Sequence, residues 1–381
     1  MDNIEPRDPE RPTQRRLEGP SQPESGPGHS DGTCAIKDSV RSILSGDRRS
    51  IARAISQVEQ GTSFGRESQS RALLTALYPH TGRAHIVGVT GAPGTGKSTL
   101  VNQIARTYRQ DHNVRVGIIA VDPTSPYSGG ALLGDRIRMR DVAGDPGIFI
   151  RSMATRGAAG GLSQSTFEAA QILDAAGYGV ILIETVGAGQ DEVEIAHTAH
   201  TTVLVEAPGL GDDIQAIKAG IIEIADIFVV NKADRDGAEA TVRALELVLH
   251  SGADTGRPYE SGLPASRSAD KDRVPSNACQ CAPKEWQVPI CKTVALDGTG
   301  TTDLVSWIDA HRAFLETSGH RQAKELARAR SSLERLLHQA LFARFLERLE
   351  PGVLQDTISR IASRQLAPYE ALEHLLANQV P

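Results

Sequence analysis

The chain has 381 residues, with 41 lysines and arginines against 47 aspartates and glutamates, a formal charge of −6, and four cysteines. This length can bury a sizeable core in one large domain or two smaller ones. The acidic balance argues against a duplex nucleic-acid binder, no run of about 18 apolar residues offers a membrane span, and four cysteines make no disulfide framework.

The first residues lack the apolar core of a signal peptide, and their acidic side chains do not suit an organelle-targeting helix, so a cytoplasmic protein is expected. Residues 1–35 carry prolines at 6, 9, 12, 20, 23 and 27 among charged and small residues. Such a segment buries too little apolar surface to offset its ordering entropy and reads as a disordered tail. Residues 36–82 read as an N-terminal helical region, with Val40, Ile43, Leu44, Ile51, Ile55 and Val58 at helical spacing, interrupted at Gly46.

From 83 to 316, β-rich runs alternate with helical stretches: HIVGVT, VRVGIIAVD, GIFI, YGVILIE, TTVLVE, DIFVVN and ICKTVAL. Most are apolar almost throughout, as strands buried on both faces of a parallel sheet are. The pattern predicts an α/β domain with a mostly parallel, doubly wound sheet. Residues 252–288 are polar and rich in Pro and Gly, and read as a flexible surface insertion. Cys279 and Cys281 fall in it with no His beside them and read as incidental. Residues 317–381 form a C-terminal helical arm, with Leu326, Leu333, Leu337, Leu341 and Phe345 along one face. Packing on its own domain and packing on another chain are equally compatible with that stripe.

Residues 91–99 read GAPGTGKST, between the first predicted strand and a helical stretch. Gly91, Ala92, Pro93, Gly94, Thr95 and Gly96 make a loop whose amides face phosphate; Lys97 brings a cation, and Ser98 and Thr99 open the helix, with Ser98 offering a hydroxyl to Mg²⁺. A second run, VILIETVGAGQDE, ends a strand in Glu184, placed to serve Mg²⁺, and Gly187 can bring its amide to a γ-phosphate. Gln190 either positions the attacking water or is an ordinary loop residue. In FVVNKAD, Asn231, Lys232 and Asp234 name the base. The Asp234 carboxylate accepts from guanine N1–H and the exocyclic amine, whereas adenine offers an acceptor and no such amine. Val294-Ala295 stands where a backbone contact to guanine is expected. The nucleotide is read as GTP or GDP.

VDPTSPYSGGALLGDRIRM, GIFIRSMATRGAAGGLS, ETVGAGQDE, APGLGDDIQAIKAGIIEIAD and NKAD together resemble the methylmalonyl-CoA mutase-associated GTPases, the MeaB-like branch of the P-loop metallochaperone GTPases, over roughly residues 37–381. The resemblance implies a slow intrinsic GTPase and a homodimer joined through the C-terminal arm. It also implies association with an adenosylcobalamin-dependent acyl-CoA mutase, whose cofactor delivery and reactivation nucleotide turnover gates. It implies that Asp122 and Asp135 join Ser98 and Glu184 around Mg²⁺, although both also suit turns beside Pro123 and Gly134. Asp212, Gln215 and Lys218 match a switch segment. Lys218 is either a stabiliser of γ-phosphate charge or a solvated helix lysine. A nickel- or other metal-insertion GTPase is the alternative, but it usually shows a His-rich tract or Cys/His pair near the switches. A transport-associated P-loop kinase has no use for the NKxD element.

Overall fold

The computed structural model describes residues 30–59, 67–122, 144–154, 164–185, 191–209, 224–253 and 285–377. Its core is a seven-stranded sheet whose strands fall on the seven expected runs: β1 His85–Thr90, β2 Val116–Asp122, β3 Ile148–Ala154, β4 Val180–Thr185, β5 Thr201–Glu206, β6 Ile227–Asn231 and β7 Ile290–Thr293, with β3 continuing to Ala154 beyond GIFI and β7 ending at Thr293 within ICKTVAL. The order is β3-β2-β4-β1-β5-β6-β7. Every pairing is parallel.

Alternation along the strands divides the core. Ile86, Ile119, Ile181 and Ile183 face a cluster that includes Ile51, Ile55, Leu73, Leu173 and Ile195. These come from α2 Arg48–Glu59, α3 Glu67–Leu77, α5 Gln164–Ala175 and α6 Asp191–Thr198. Val87, Val89, Ile118 and Leu182 point the other way, onto Leu100 and Ile104 of α4 Lys97–Asp111 and Leu304 and Ile308 of α8 Thr301–Ser318. With both faces covered, each buried Leu or Ile contributes about 1.5–3 kcal/mol, which is why strands this apolar are stable only here. Near β7, Phe228 and Val230 of β6 meet Leu245 of α7 Ala238–Ala253.

The N-terminal helices form a second layer, α2 and α3 lying on α5. The first of them, α1, runs Ser30–Leu44, so residues 30–35, read from sequence as tail, are helical. The expected 252–288 insertion is also shorter at both ends. Its first two residues finish α7, and Trp286 donates Nε1–H to the Asp226 carbonyl at 2.8 Å while its ring packs 4.7 Å from His311 and 5.5 Å from Phe314. Cys279 and Cys281 lie outside the described residues.

The C-terminal arm is α9 His320–Arg348, followed by α10 Val353–Ala362 and α11 Pro368–Ala377. No residue of α9 is buried, and Leu326, Leu333, Leu337, Leu341 and Phe342 are exposed. No helix among the described residues is long and apolar enough to cross a membrane.

The root of the arm is fastened beneath the N-terminal ends of β1, β5 and β6. His200 Nδ1 accepts the Ile86 N–H at 2.9 Å, and its Nε2 stands 2.7 Å from both Glu325 Oε1 and Arg328 Nη1. Lys324 Nζ donates to the His200 carbonyl at 2.8 Å and stands 3.4 Å from Asp226 Oδ2. His311 Nε2 faces Asp226 Oδ1 at 3.4 Å, and Thr201 Oγ1 bridges His311 Nδ1 and His85 Nε2, each at 2.8 Å. Arg321, Arg328 and Arg312 surround the group and add like charge. Burial pushes His200 and His311 down to about 4 against the pull of Glu325 and Asp226, and pushes His85 well below its usual value.

These imidazoles are neutral in the fold and take protons near 6.5 once unfolded, so the unfolded chain binds more protons between those values. Stability is therefore expected to be complete above pH 6.5 and to fall as pH drops toward 4, by up to roughly 3 kcal/mol for each of the two histidines. Denaturant unfolding at a series of pH values measures it. A stability flat between pH 6.5 and 4.5 would show that the histidines titrate freely.

Candidate nucleotide site

The site lies at the C-terminal ends of β1, β4, β6 and β7, in the crevice where parallel sheets bind ligands. After Thr90 the chain turns at Gly91, whose φ is +138°. A Cβ there would stand 2.1 Å from the Val205 carbonyl oxygen, so only glycine lets the loop leave the sheet against β5. Gly96 caps α4 at φ +94°, with no side-chain cap and no acidic residue in the first turn. The first amides of α4 are thus left to an anion, with the positive end of the helix dipole behind them.

Lys97 is 6% exposed, and its Nζ donates to the carbonyls of Gly91 at 2.8 Å and Ala92 at 3.0 Å. The ammonium is therefore held at the mouth of the loop by groups that phosphate oxygens can replace. Thr95 Oγ1 donates to the Ala92 carbonyl at 3.0 Å, tightening the same turn.

Ser98 Oγ donates to Glu184 Oε1 at 2.5 Å, a short charge-assisted bond across 86 residues of sequence. A hydroxyl and a carboxylate held together beside a phosphate loop fit Mg²⁺, which takes few protein oxygens and completes its shell with water and phosphate. Among the described residues no group of three or more His, Cys, Asp or Glu gathers as a cage for another metal.

Asn231, 2% exposed, joins three segments. Its Nδ2 donates to the Thr95 carbonyl at 2.8 Å, and its Oδ1 accepts the Ala295 N–H at 3.0 Å and the Thr293 hydroxyl at 3.2 Å. A Cβ on Gly96 would stand 2.5 Å from Asn231 Nδ2, so the last loop glycine makes room for this tie. Lys232 adopts φ +56° and donates Nζ–H to the Gly94 carbonyl at 2.6 Å, lying along the loop. Asp234 is exposed on the turn that follows, and Val294 is half-buried beside the buried Ala295.

The structure thus brings together the 91–99 loop, Glu184, Asn231, Lys232, Val294 and Ala295, with Asp234 at the rim. Asp135, Gly187, Gln190, Asp212, Gln215 and Lys218 lie outside the described residues, as does the side chain of Asp122, whose backbone ends β2. Three threonines that bond beneath and beside the site were not read from the sequence. Thr293 supports Asn231, and Thr185 donates to Thr90 at 2.9 Å under the loop. The one available signal was their place, a hydroxyl at or within one residue of the C-terminal end of an apolar strand.

A phosphate loop between the central strand and a helix, tied by an NKxD asparagine to the loop after the last strand, defines a P-loop protein of the GTPase class. The sequence signature of the family described as methylmalonyl Co-A mutase-associated GTPase MeaB matches residues 51–350. A relative from Pyrococcus abyssi is 42% identical over 341 residues, 90% of this chain and 96% of its own. The GTPase ArgK of Escherichia coli is 32% identical over 344 residues, 88% of this chain and 96% of its own. A crystal structure described as a LAO/AO transport system kinase matches with a TM-score of 0.60 at 25% identity, over 90% of this chain and 97% of that one. The chain belongs to the MeaB family of GTPases.

Proposed function

We propose that the chain binds GTP, hydrolyses it slowly, and uses the cycle to gate adenosylcobalamin delivery to an acyl-CoA mutase of the methylmalonyl-CoA mutase kind, which it also protects or reactivates. The observation that carries the nucleotide reading is the Asn231 tie, which makes the guanine-reading turn and the phosphate loop one unit. The family description supports the choice of partner.

In this reading water attacks the γ-phosphorus while the bond from that phosphorus to the β–γ bridging oxygen breaks. The electron pair leaves with GDP, and the water's oxygen and both its protons leave on the phosphate. Lys97 and the α4 amides hold the charge that grows on the bridging and γ oxygens. Ser98, Glu184, Asp122 and Asp135 would hold Mg²⁺, which supplies phosphate charge neutralisation when bound. Gln190 orients the water and Lys218 stabilises γ-phosphate charge, Gly187 gives an amide to that phosphate, and Asp212 and Gln215 belong to the segment that senses the mutase. Asp234 reads guanine, with the Val294-Ala295 backbone beside it. The uncovered stripe of α9 joins two copies into a homodimer, working in the cytoplasm without nucleic acid or membrane.

Adding the cognate mutase is expected to raise GTP turnover on the order of tenfold or more, measured as phosphate release at saturating GTP. A turnover unchanged at saturating mutase would overturn the chaperone reading and leave the GTPase reading standing.

A further inference from the structure

The β1–β4 ladder stops one residue short of the site. It runs from His85↔Val180 to Val89↔Glu184 and no further. Beyond that point β1 pairs only with β5, at Thr90↔Leu204, while β4 pairs only with β2, at Val121↔Thr185. The two strands part where one becomes the phosphate loop and the other has just delivered Glu184. Across that opening Thr185 Oγ1 donates to Thr90 Oγ1 at 2.9 Å, and the two residues are 1% and 0% exposed.

Stability alone does not require two threonines here. Valine has nearly the same shape, and replacing both partners of a buried hydrogen bond by apolar groups of that shape is close to neutral. Their position is more informative. Thr90 is the residue before Gly91, and Thr185 is the residue after Glu184, whose Oε1 takes the Ser98 hydroxyl at 2.5 Å. The hydroxyl bond therefore stands in for the missing rung, and fixes the end of the strand that carries the carboxylate to the end of the strand that carries the loop.

We propose that Thr185 and Thr90 are positioning residues for the metal–nucleotide site: their hydroxyl bond holds the Glu184 carboxylate at Ser98. The inference rests on reading Ser98 and Glu184 as the protein's Mg²⁺ partners. A valine at 185 keeps the packing but frees the two strand ends to part, and it leaves the Thr90 hydroxyl buried without its donor. A serine at 185 keeps the bond. Valine at both positions removes the buried hydroxyls, and with them the stability penalty, but not the loss of registration.

The test uses the full chain and a fluorescent GDP analogue, with Mg²⁺ titrated against nucleotide retention. Thr185→Val is expected to raise the Mg²⁺ concentration for half-maximal retention by about tenfold, the range for loss of a group that orients a metal ligand. Affinity measured in excess chelator should fall far less. Thr185→Ser should restore the wild-type Mg²⁺ requirement. The double variant Thr90→Val/Thr185→Val should recover the wild-type unfolding temperature while keeping the raised requirement. A Mg²⁺ requirement that returns to normal in the double variant, or never shifts in Thr185→Val, would reduce the pair to packing and overturn the inference. Wild-type retention indifferent to Mg²⁺ would instead overturn the reading of Ser98 and Glu184 on which it rests.

Discussion

Lys97→Ala is expected to lower GTP turnover by about a hundred- to a thousandfold, the effect of removing one preorganised charge from a developing oxyanion. The geometry explains why the loss should be concentrated in this side chain. The Lys97 ammonium is buried at the mouth of the loop, where water screens it little, and the loop already positions it through the Gly91 and Ala92 carbonyls. A triphosphate replaces two neutral acceptors by anionic ones, so the site exchanges weak partners for strong ones without moving the lysine far. The same bonds mean that alanine also leaves two loop carbonyls without their donor in the nucleotide-free protein, at a cost of about 1–3 kcal/mol. An unfolding curve beside the phosphate-release assay separates the two effects. Saturating GTP would not rescue the rate, whereas added stability from bound nucleotide would rescue the fold. Turnover near the wild-type level in a folded Lys97→Ala would remove the lysine from the mechanism.

What could be read from the sequence follows how locally each feature is encoded. The inner strands were legible because a strand covered on both faces is apolar almost throughout, as HIVGVT and VILIET are. At the sheet edge β3 continues past GIFI through the half-buried Arg151 and Ser152, which the pattern did not mark. The phosphate loop and NKxD were legible because their work is done by backbone paths that only particular residues allow, Gly91 and Gly96 above all. The start of α1 was missed because its first turn, SDGT, has no apolar residue; that turn continues a helix whose packed part begins later, at Val40 and Ile43. Trp286 looked like part of a polar loop until the fold set His311 and Phe314 beside it. The anchor of the arm was out of reach for the same reason. His85, His200, Asp226, His311 and Lys324 are scattered over 240 residues and share no motif, and only the parallel sheet brings the starts of β1, β5 and β6 to one edge. Thr90 and Thr185 were hidden differently. β-Branched residues are ordinary in strands, so their hydroxyls carry information only once the ladder is seen to end there.

Asp234→Asn is expected to exchange guanine for xanthine selectivity, weakening GDP by about two to four orders of magnitude while xanthosine diphosphate gains. A carboxylate accepts two hydrogen bonds, and those to a charged group contribute about 1.5–3 kcal/mol each. Guanine supplies both donors, N1–H and the exocyclic amine. An asparagine turns one acceptor into a donor, which meets the amine unfavourably and instead suits the carbonyl that xanthine carries at that carbon. The turn holding residue 234 does not depend on its side chain. The Ala233 N–H donates to the Thr293 carbonyl at 3.1 Å, and the Arg235 N–H donates to the Lys232 carbonyl at 3.0 Å. The exposed Asp234 can therefore change chemistry without changing the fold, and the variant should unfold within about 0.5 kcal/mol of the wild type. Calorimetric titration of both proteins with GDP, ADP and xanthosine diphosphate decides it. A wild type that binds ADP as tightly as GDP, or a variant that keeps its preference for GDP, would mean that Asp234 does not read the base.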